Sequence, residues 1–161
     1  MSTKAIQGKV DLDKTKEALT LLGREEKTLP LGGGSWLNTP KARDVEVVDL
    51  QDLGLDSISE DGHELVMGAT CSLETFLTHE KTPETLKTAI KAEANYNFRQ
   101  VATIAGSLMS ADGRSIFALA MLALDAVLVV QPGDEKIRLG DFLPLRATQL
   151  NGKLITEIRI N

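Results

Sequence analysis

Three consecutive glycines, Gly32-Gly33-Gly34, followed by Ser35, stand directly after the apolar stretch Thr28-Leu29-Pro30-Leu31. Glycine has no Cβ, so such a run ends the element before it and lets a backbone or a ligand come close. The four residues before it read as a short buried strand, which predicts a strand running into a permissive loop. Successive amides in a loop of this kind can hold an anion, and Ser35 adds a hydroxyl. One reading is therefore a pyrophosphate cradle; a plain turn satisfies the same glycines. The loop is not a P-loop, because no Gly-Lys-Ser/Thr follows, and it is not the spaced Gly-x-Gly-x-x-Gly fingerprint.

A second segment, Arg99 to Asp112, concentrates small side chains and hydroxyls at Thr103, Gly106, Ser107 and Ser110 just before a strongly apolar stretch. It can approach a diphosphate, or it can serve as packing beneath a helix. Two such segments in one small domain suit a dinucleotide-sized anion held from both sides.

The rest of the chain sets the frame. Lys14 to Leu22 reads as an amphipathic helix that Asp11 or Asp13 starts and Gly23 ends. Val45 to Leu50 reads as a second strand. Asp61-Gly62 is expected to turn between Leu55–Ile58 and Glu64–Met67. Ser72 to Phe76 and Pro83 to Ala94 read as helices, with a loop from Gly106 feeding a helix over Ile116 to Leu124. Val127–Val130 and Lys136–Leu139 form a strand pair around Pro132-Gly133-Asp134, and Leu154 to Ile160 alternates as the last strand. This order predicts a small α/β lobe over residues 1–53 and a larger α+β lobe over 54–161.

Composition excludes several classes. The 161 residues carry 18 Lys+Arg against 23 Asp+Glu, a formal net charge of −5, so no basic excess is available to neutralise phosphates and nucleic acid is not an expected partner. The stretch Ile116 to Val130 is interrupted by Asp125 and is too short to span a bilayer, and Met1 to Lys16 has no apolar signal core. A cytoplasmic protein without a membrane partner is the expectation. Cys71 is the single cysteine and reads as a small buried apolar residue. With two isolated histidines, His63 and His79, it makes no metal site. No residue stands out as a nucleophile or general base, so no catalytic residue is assigned.

Several motifs together resemble one family. Leu31-Gly32-Gly33-Gly34-Ser35-Trp36-Leu37 is similar to the first flavin loop of the xanthine dehydrogenase and carbon monoxide dehydrogenase flavoproteins, the molybdopterin dehydrogenase family. Val101-Ala102-Thr103-Ile104-Ala105-Gly106-Ser107 is similar to that family's Val-Ala-Thr-Ile-Gly-Gly-Asn. Leu119 to Ala126 and Leu154 to Ile160 match its later helix end and closing strand, and Val48-Asp49-Leu50 and Met67-Gly68-Ala69-Thr70 fall in the expected places. The resemblance implies an α+β, two-lobed FAD-binding fold of the vanillyl-alcohol-oxidase (PCMH) type, with a mainly antiparallel sheet in the larger lobe. It implies FAD as cofactor, held by Leu31, Gly32, Gly33, Gly34, Ser35, Trp36, Thr103, Ile104, Ala105, Gly106 and Ser107, with Asp112 and Ile116 nearby.

In function, the resemblance implies an electron-transfer component of a molybdenum-hydroxylase-type oxidoreductase that relays electrons between iron–sulfur and molybdenum partner subunits and an external acceptor. Ala105 replaces a family glycine, Ser107 replaces the usual asparagine, and Ile116 stands where the family commonly has an aspartate that contacts the cofactor. The family continues past the position of Asn161 into a C-terminal domain that covers the flavin, so a cover from a separate polypeptide, a partner subunit or a second copy of this chain is expected. Two other readings stay open at this stage. One is a flavin-free scaffold that kept the fold. The other is a flavin domain like that of UDP-N-acetylenolpyruvoylglucosamine reductase, whose glycine loop Leu31 to Ser35 also resembles.

Overall fold

The computed structural model describes residues 11–24, 28–35, 46–146, 150 and 152–161. Helix α1 (Leu12–Leu22) starts where Asp11 accepts the Lys14 amide at 3.1 Å, which satisfies one of the donors a helix start leaves unpaired. Thr15, Ala18 and Leu22 fall three and four residues apart and form its buried stripe. Strand β1 (Thr28–Leu31) pairs in parallel with β2 (Glu46–Asp49), from Thr28 opposite Glu46 to Leu31 opposite Asp49. Ala18 and Leu22 of α1 pack with Val48, Leu50, Leu53, Leu55 and Leu154 into a small core.

The second sheet is entirely antiparallel, in the order β3-β4-β7-β5-β6. Its strands are β3 (Ile58–Asp61), β4 (Glu64–Gly68), β5 (Val127–Gln131), β6 (Glu135–Arg138) and β7 (Leu154–Ile160). The last strand in sequence is the central one, so its apolar alternation is buried against neighbours on both edges. Leu65, Met67, Leu128, Val130, Ile158 and Ile160 of this sheet join Phe76, Ile90, Leu108, Phe117 and Phe142 from the helices in the main core. Burying side chains of this size stabilises the fold by roughly 1.5–3 kcal/mol each before entropy is counted. Arg159 clamps the strand end, donating to Asp61 and Glu64 at 3.0 Å and to Glu157 at 2.9 Å.

Helices α2 (Leu73–Thr78), α3 (Glu84–Glu93), α4 (Tyr96–Val101), α5 (Ile104–Ser110), α6 (Ile116–Ala123) and α7 (Leu139–Phe142) fill the connections. Side-chain oxygens of Ser72, Asn95, Thr103 and Ser115 cap α2, α4, α5 and α6. The architecture is α+β with an antiparallel main sheet, as the sequence led us to expect.

Three local expectations are corrected. The first hairpin strand begins at Ile58 rather than Leu55, and the two-residue turn is Gly62-His63, with Asp61 paired to Glu64. Gly62 there has φ +64°, the left-handed region that suits glycine. Gly106 does not open a loop; it lies inside α5, because the Thr103 cap starts a helix at Ile104. Tyr96–Val101, without a sequence assignment, is also helical. Among the described residues, no helix is long and apolar enough to cross a membrane.

Candidate functional site

The glycine loop leaves β1 and meets the segment after α4. A Cβ on Gly33 would lie 1.5 Å from the Val101 carbonyl oxygen, and one on Gly32 would lie 3.0 Å from the Thr103 hydroxyl oxygen. Gly33 is therefore a glycine because the second segment's backbone occupies the space of a side chain. Gly34 has φ +71°, which turns the chain away after this contact. The two segments singled out in the sequence are thus in direct contact, with Thr103 between them.

Their hydrogen bonding differs. Among the described residues the amides of Gly32, Gly33, Gly34 and Ser35 make no hydrogen bond. In the second segment Ile104 donates to the Cys71 carbonyl at 2.9 Å, Ala105 to Ala69 at 3.2 Å and Ser107 to Thr103 at 2.9 Å. Gly106 donates to the Thr103 hydroxyl oxygen at 3.1 Å. Thr103, 6% exposed, caps α5 in this way, and a Cβ on Gly106 would come within 2.8 Å of that oxygen. The second segment's amides are spent inside the chain, and it offers a ligand side chains instead. Ser107 has no hydrogen-bond partner for its hydroxyl among the described residues.

Ser107 lines an open cleft of about 410 Å³ together with Glu93, Phe98, Asp112, Arg114 and Ile116. Phe98 and Ile116 are 44% and 47% exposed and give it apolar walls. Asp112 pairs with Arg114 at 2.7 Å, and hydrogen bonds from the Arg114 side chain and backbone, with its nearby charge, hold the Asp112 carboxyl below the usual carboxylate range. Ser115 caps α6, accepting the Ala118 amide at 3.1 Å. Ile116 donates its own amide to Glu93 at 2.8 Å.

Of the other polar residues, Cys71 is fully buried, and desolvation with the nearby Asp56 charge pushes its thiol up to about 12. It is protonated and unreactive at ordinary pH. His63 is exposed, and His79 accepts the Lys81 amide at 3.3 Å. Arg146 donates to the Ala111 carbonyl at 2.6 Å, at the end of α5. Trp36 lies outside the described residues.

Of the expected site residues, the structure therefore brings Leu31–Ser35 and Thr103–Ser107 together and places Asp112 and Ile116 on the adjoining cleft. Sequence reasoning missed Glu93 and Phe98. Phe98 carries the ordinary sign of an exposed aromatic, but Glu93 lies 23 residues from the helix it caps, and no local pattern marks that.

A strand-linked glycine loop whose amides are unpaired among the described residues, a second segment packed against it, and this order of helices around an antiparallel sheet define the class. Residues 10–160 match the family described as the FAD binding domain in molybdopterin dehydrogenase, and the chain belongs to it. FAD is the cofactor of that domain, and the loop's amides, unpaired among the described residues, and the adjoining cleft fit a dinucleotide. The chain is 32% identical over 151 residues to the uncharacterized protein YgfM of Escherichia coli K12 and to its counterpart in strain O157:H7, covering 92% of this chain and 56% of each relative. It thus spans little more than half the length of those relatives. The fold is shared with carbon monoxide dehydrogenase from Hydrogenophaga pseudoflava, at TM-score 0.80 and 23% identity over 89% of this chain and 55% of that one. Quinoline 2-oxidoreductase from Pseudomonas putida 86 gives TM-score 0.79 and 20% identity over 99% and 60%.

Proposed function

We propose that this chain holds FAD between residues 1–53 and residues 54–161, and that it serves as the electron-transfer component of a molybdenum-hydroxylase-type oxidoreductase. The observation that carries the reading is the set of amides from Gly32 to Ser35 that make no hydrogen bond among the described residues, backed by Thr103 and Val101. Such amides are donors for a diphosphate. Leu31 ends the strand that aims the loop, and Trp36 follows it. Ile104, Ala105 and Gly106 build the short helix beneath, Ser107 adds a hydroxyl, and Asp112 and Ile116 face the cleft. Bound FAD supplies the redox chemistry. The chain's own residues bind and orient it; among the described residues no cluster of His, Cys, Asp and Glu is arranged to hold a metal ion.

The substrate chemistry then belongs to partners. The solved structures of like fold include a Cu,Mo-containing carbon monoxide dehydrogenase and quinoline 2-oxidoreductase, which supports a molybdenum-containing partner; iron–sulfur partners and an external acceptor are what the family resemblance implies. Exposed Phe98, Val101, Ile116 and Leu119 supply apolar surface for a cover over the cofactor, from a partner chain or a second copy.

Titration of the purified chain with FAD, followed by flavin fluorescence and visible absorption, tests the reading. Saturable one-to-one binding is expected. A folded protein that stays colourless and leaves the flavin signal unchanged would refute it.

A further inference from the structure

The first amides of a helix are those a bound phosphate takes, because they lack intrahelical partners and sit at the positive end of the helix dipole. Helix α6 starts on the cleft, beside Ser107 and Phe98, and in this chain its start is already filled. Glu93, the last residue of α3, reaches over it. One carboxylate oxygen accepts from the Ile116 amide at 2.8 Å and the Phe117 amide at 3.3 Å, and the other accepts from the Ser115 hydroxyl at 2.8 Å. The Ser115 hydroxyl oxygen takes the Ala118 amide at 3.1 Å, and the Ser115 carbonyl takes the Leu119 amide at 3.1 Å. No donor at the head of α6 is left over. The remaining charges on the cleft, Asp112 and Arg114, are joined to each other. A phosphate entering here would meet a carboxylate and find no free amide. A neutral ring or sugar would meet Phe98, Ile116 and the Ser107 hydroxyl, which has no partner among the described residues.

We propose that Glu93 is a built-in anion that closes the start of α6 to phosphate groups and so decides which part of a dinucleotide the cleft accepts. The uncharged portion enters the cleft, and the diphosphate stays on the glycine loop, where the amides are free. The identity of the dinucleotide rests on the FAD reading above; the exclusion of phosphate is a property of the chain itself. Glu93 is a specificity-determining residue in this account, since loss of a helix cap alone would lower stability in any buffer.

The test uses inorganic phosphate as probe and the amide NMR signals of Ile116 and Phe117 as readout, on the whole chain without flavin. The parent is expected to show no saturable shift at millimolar phosphate. Glu93→Ala should show one, with affinity at least about tenfold above the parent's, since like-charge contact costs several kcal/mol and about 1.4 kcal/mol is tenfold. Glu93→Gln, which removes the charge and keeps an acceptor, should lie between them and decides the matter if the alanine variant does not fold. Parent amides that titrate with phosphate as the variants' do would overturn the proposal, as would folded variants that bind none. FAD titration of the parent is read separately, so a chain that fails to bind flavin is distinguished from one whose cleft admits phosphate.

Discussion

The glycine loop at Gly32–Ser35 and the segment Thr103–Ser107 look alike in sequence, both small, both hydroxyl-bearing, both preceding a change of element. In the structure they are opposites. The first keeps its amides unused among the described residues, while the second has donated its amides to Cys71, Ala69 and Thr103. The difference arises from where each segment sits. Thr103–Ser107 opens a helix against the loop before α2, and the carbonyls of Ala69 and Cys71 satisfy its first turn, which a buried helix start requires. Gly32–Ser35 leaves strand β1, with the Val101 carbonyl and the Ala102 nitrogen close behind Gly33. Residue type therefore makes close approach possible, but tertiary pairing decides which backbone remains available to a ligand. In the proposed function one segment is the cradle and the other is its support.

The largest break in this comparison is expected from Gly33→Ala. The new methyl would occupy the place of the Val101 carbonyl, so the loop must lift away from its support. We expect FAD affinity to fall by about a hundredfold, equivalent to roughly 2.7 kcal/mol, while circular dichroism shows the fold retained. Affinity within threefold of the parent would mean that the loop–segment contact does not matter to the site.

A smaller effect, on the support itself, is expected from Thr103→Val. It keeps the shape but removes the oxygen that accepts the Gly106 amide, a cap worth about 1 kcal/mol and up to about 2 in buried settings. Urea denaturation should show that loss in stability, and an unchanged midpoint would count against the capping role. The smallest effect is reserved for Ser107→Ala, which deletes a hydroxyl with no protein partner among the described residues. It should leave stability unchanged and weaken FAD three- to tenfold, as expected for one hydrogen bond of about 0.5–1.5 kcal/mol. A stability loss without a binding change would place that hydroxyl in the fold and not in the site.

Much of the fold is written locally. Leu154–Ile160 alternates as a strand should, and it takes the central place in the sheet where alternation is most strongly enforced. Asp11 and Gly23 bracket α1 as capping chemistry requires. The glycine run marks its own loop, and Gly33 turns out to be needed for close approach. What was not legible depended on contacts between distant residues. Gly106 reads as a loop former, yet the Thr103 hydroxyl and two carbonyls from the loop before α2 build a helix around it. Asp112 lies just before α6, yet Ser115 caps that helix and Arg114 holds the Asp112 carboxylate. Ile116 alone suggests a lost polar contact; only the fold shows that Glu93 brings a carboxylate to the same place from 23 residues away.

Hydrogen exchange at the two segments, with and without FAD, tests the division between cradle and support most directly. The amides of Gly32, Gly33, Gly34 and Ser35 should exchange quickly in the free protein and become protected when FAD binds, while those of Ile104, Ala105, Gly106 and Ser107 should be protected in both states. Protection gained at residues 104–107 with residues 32–35 still exchanging freely would contradict the account.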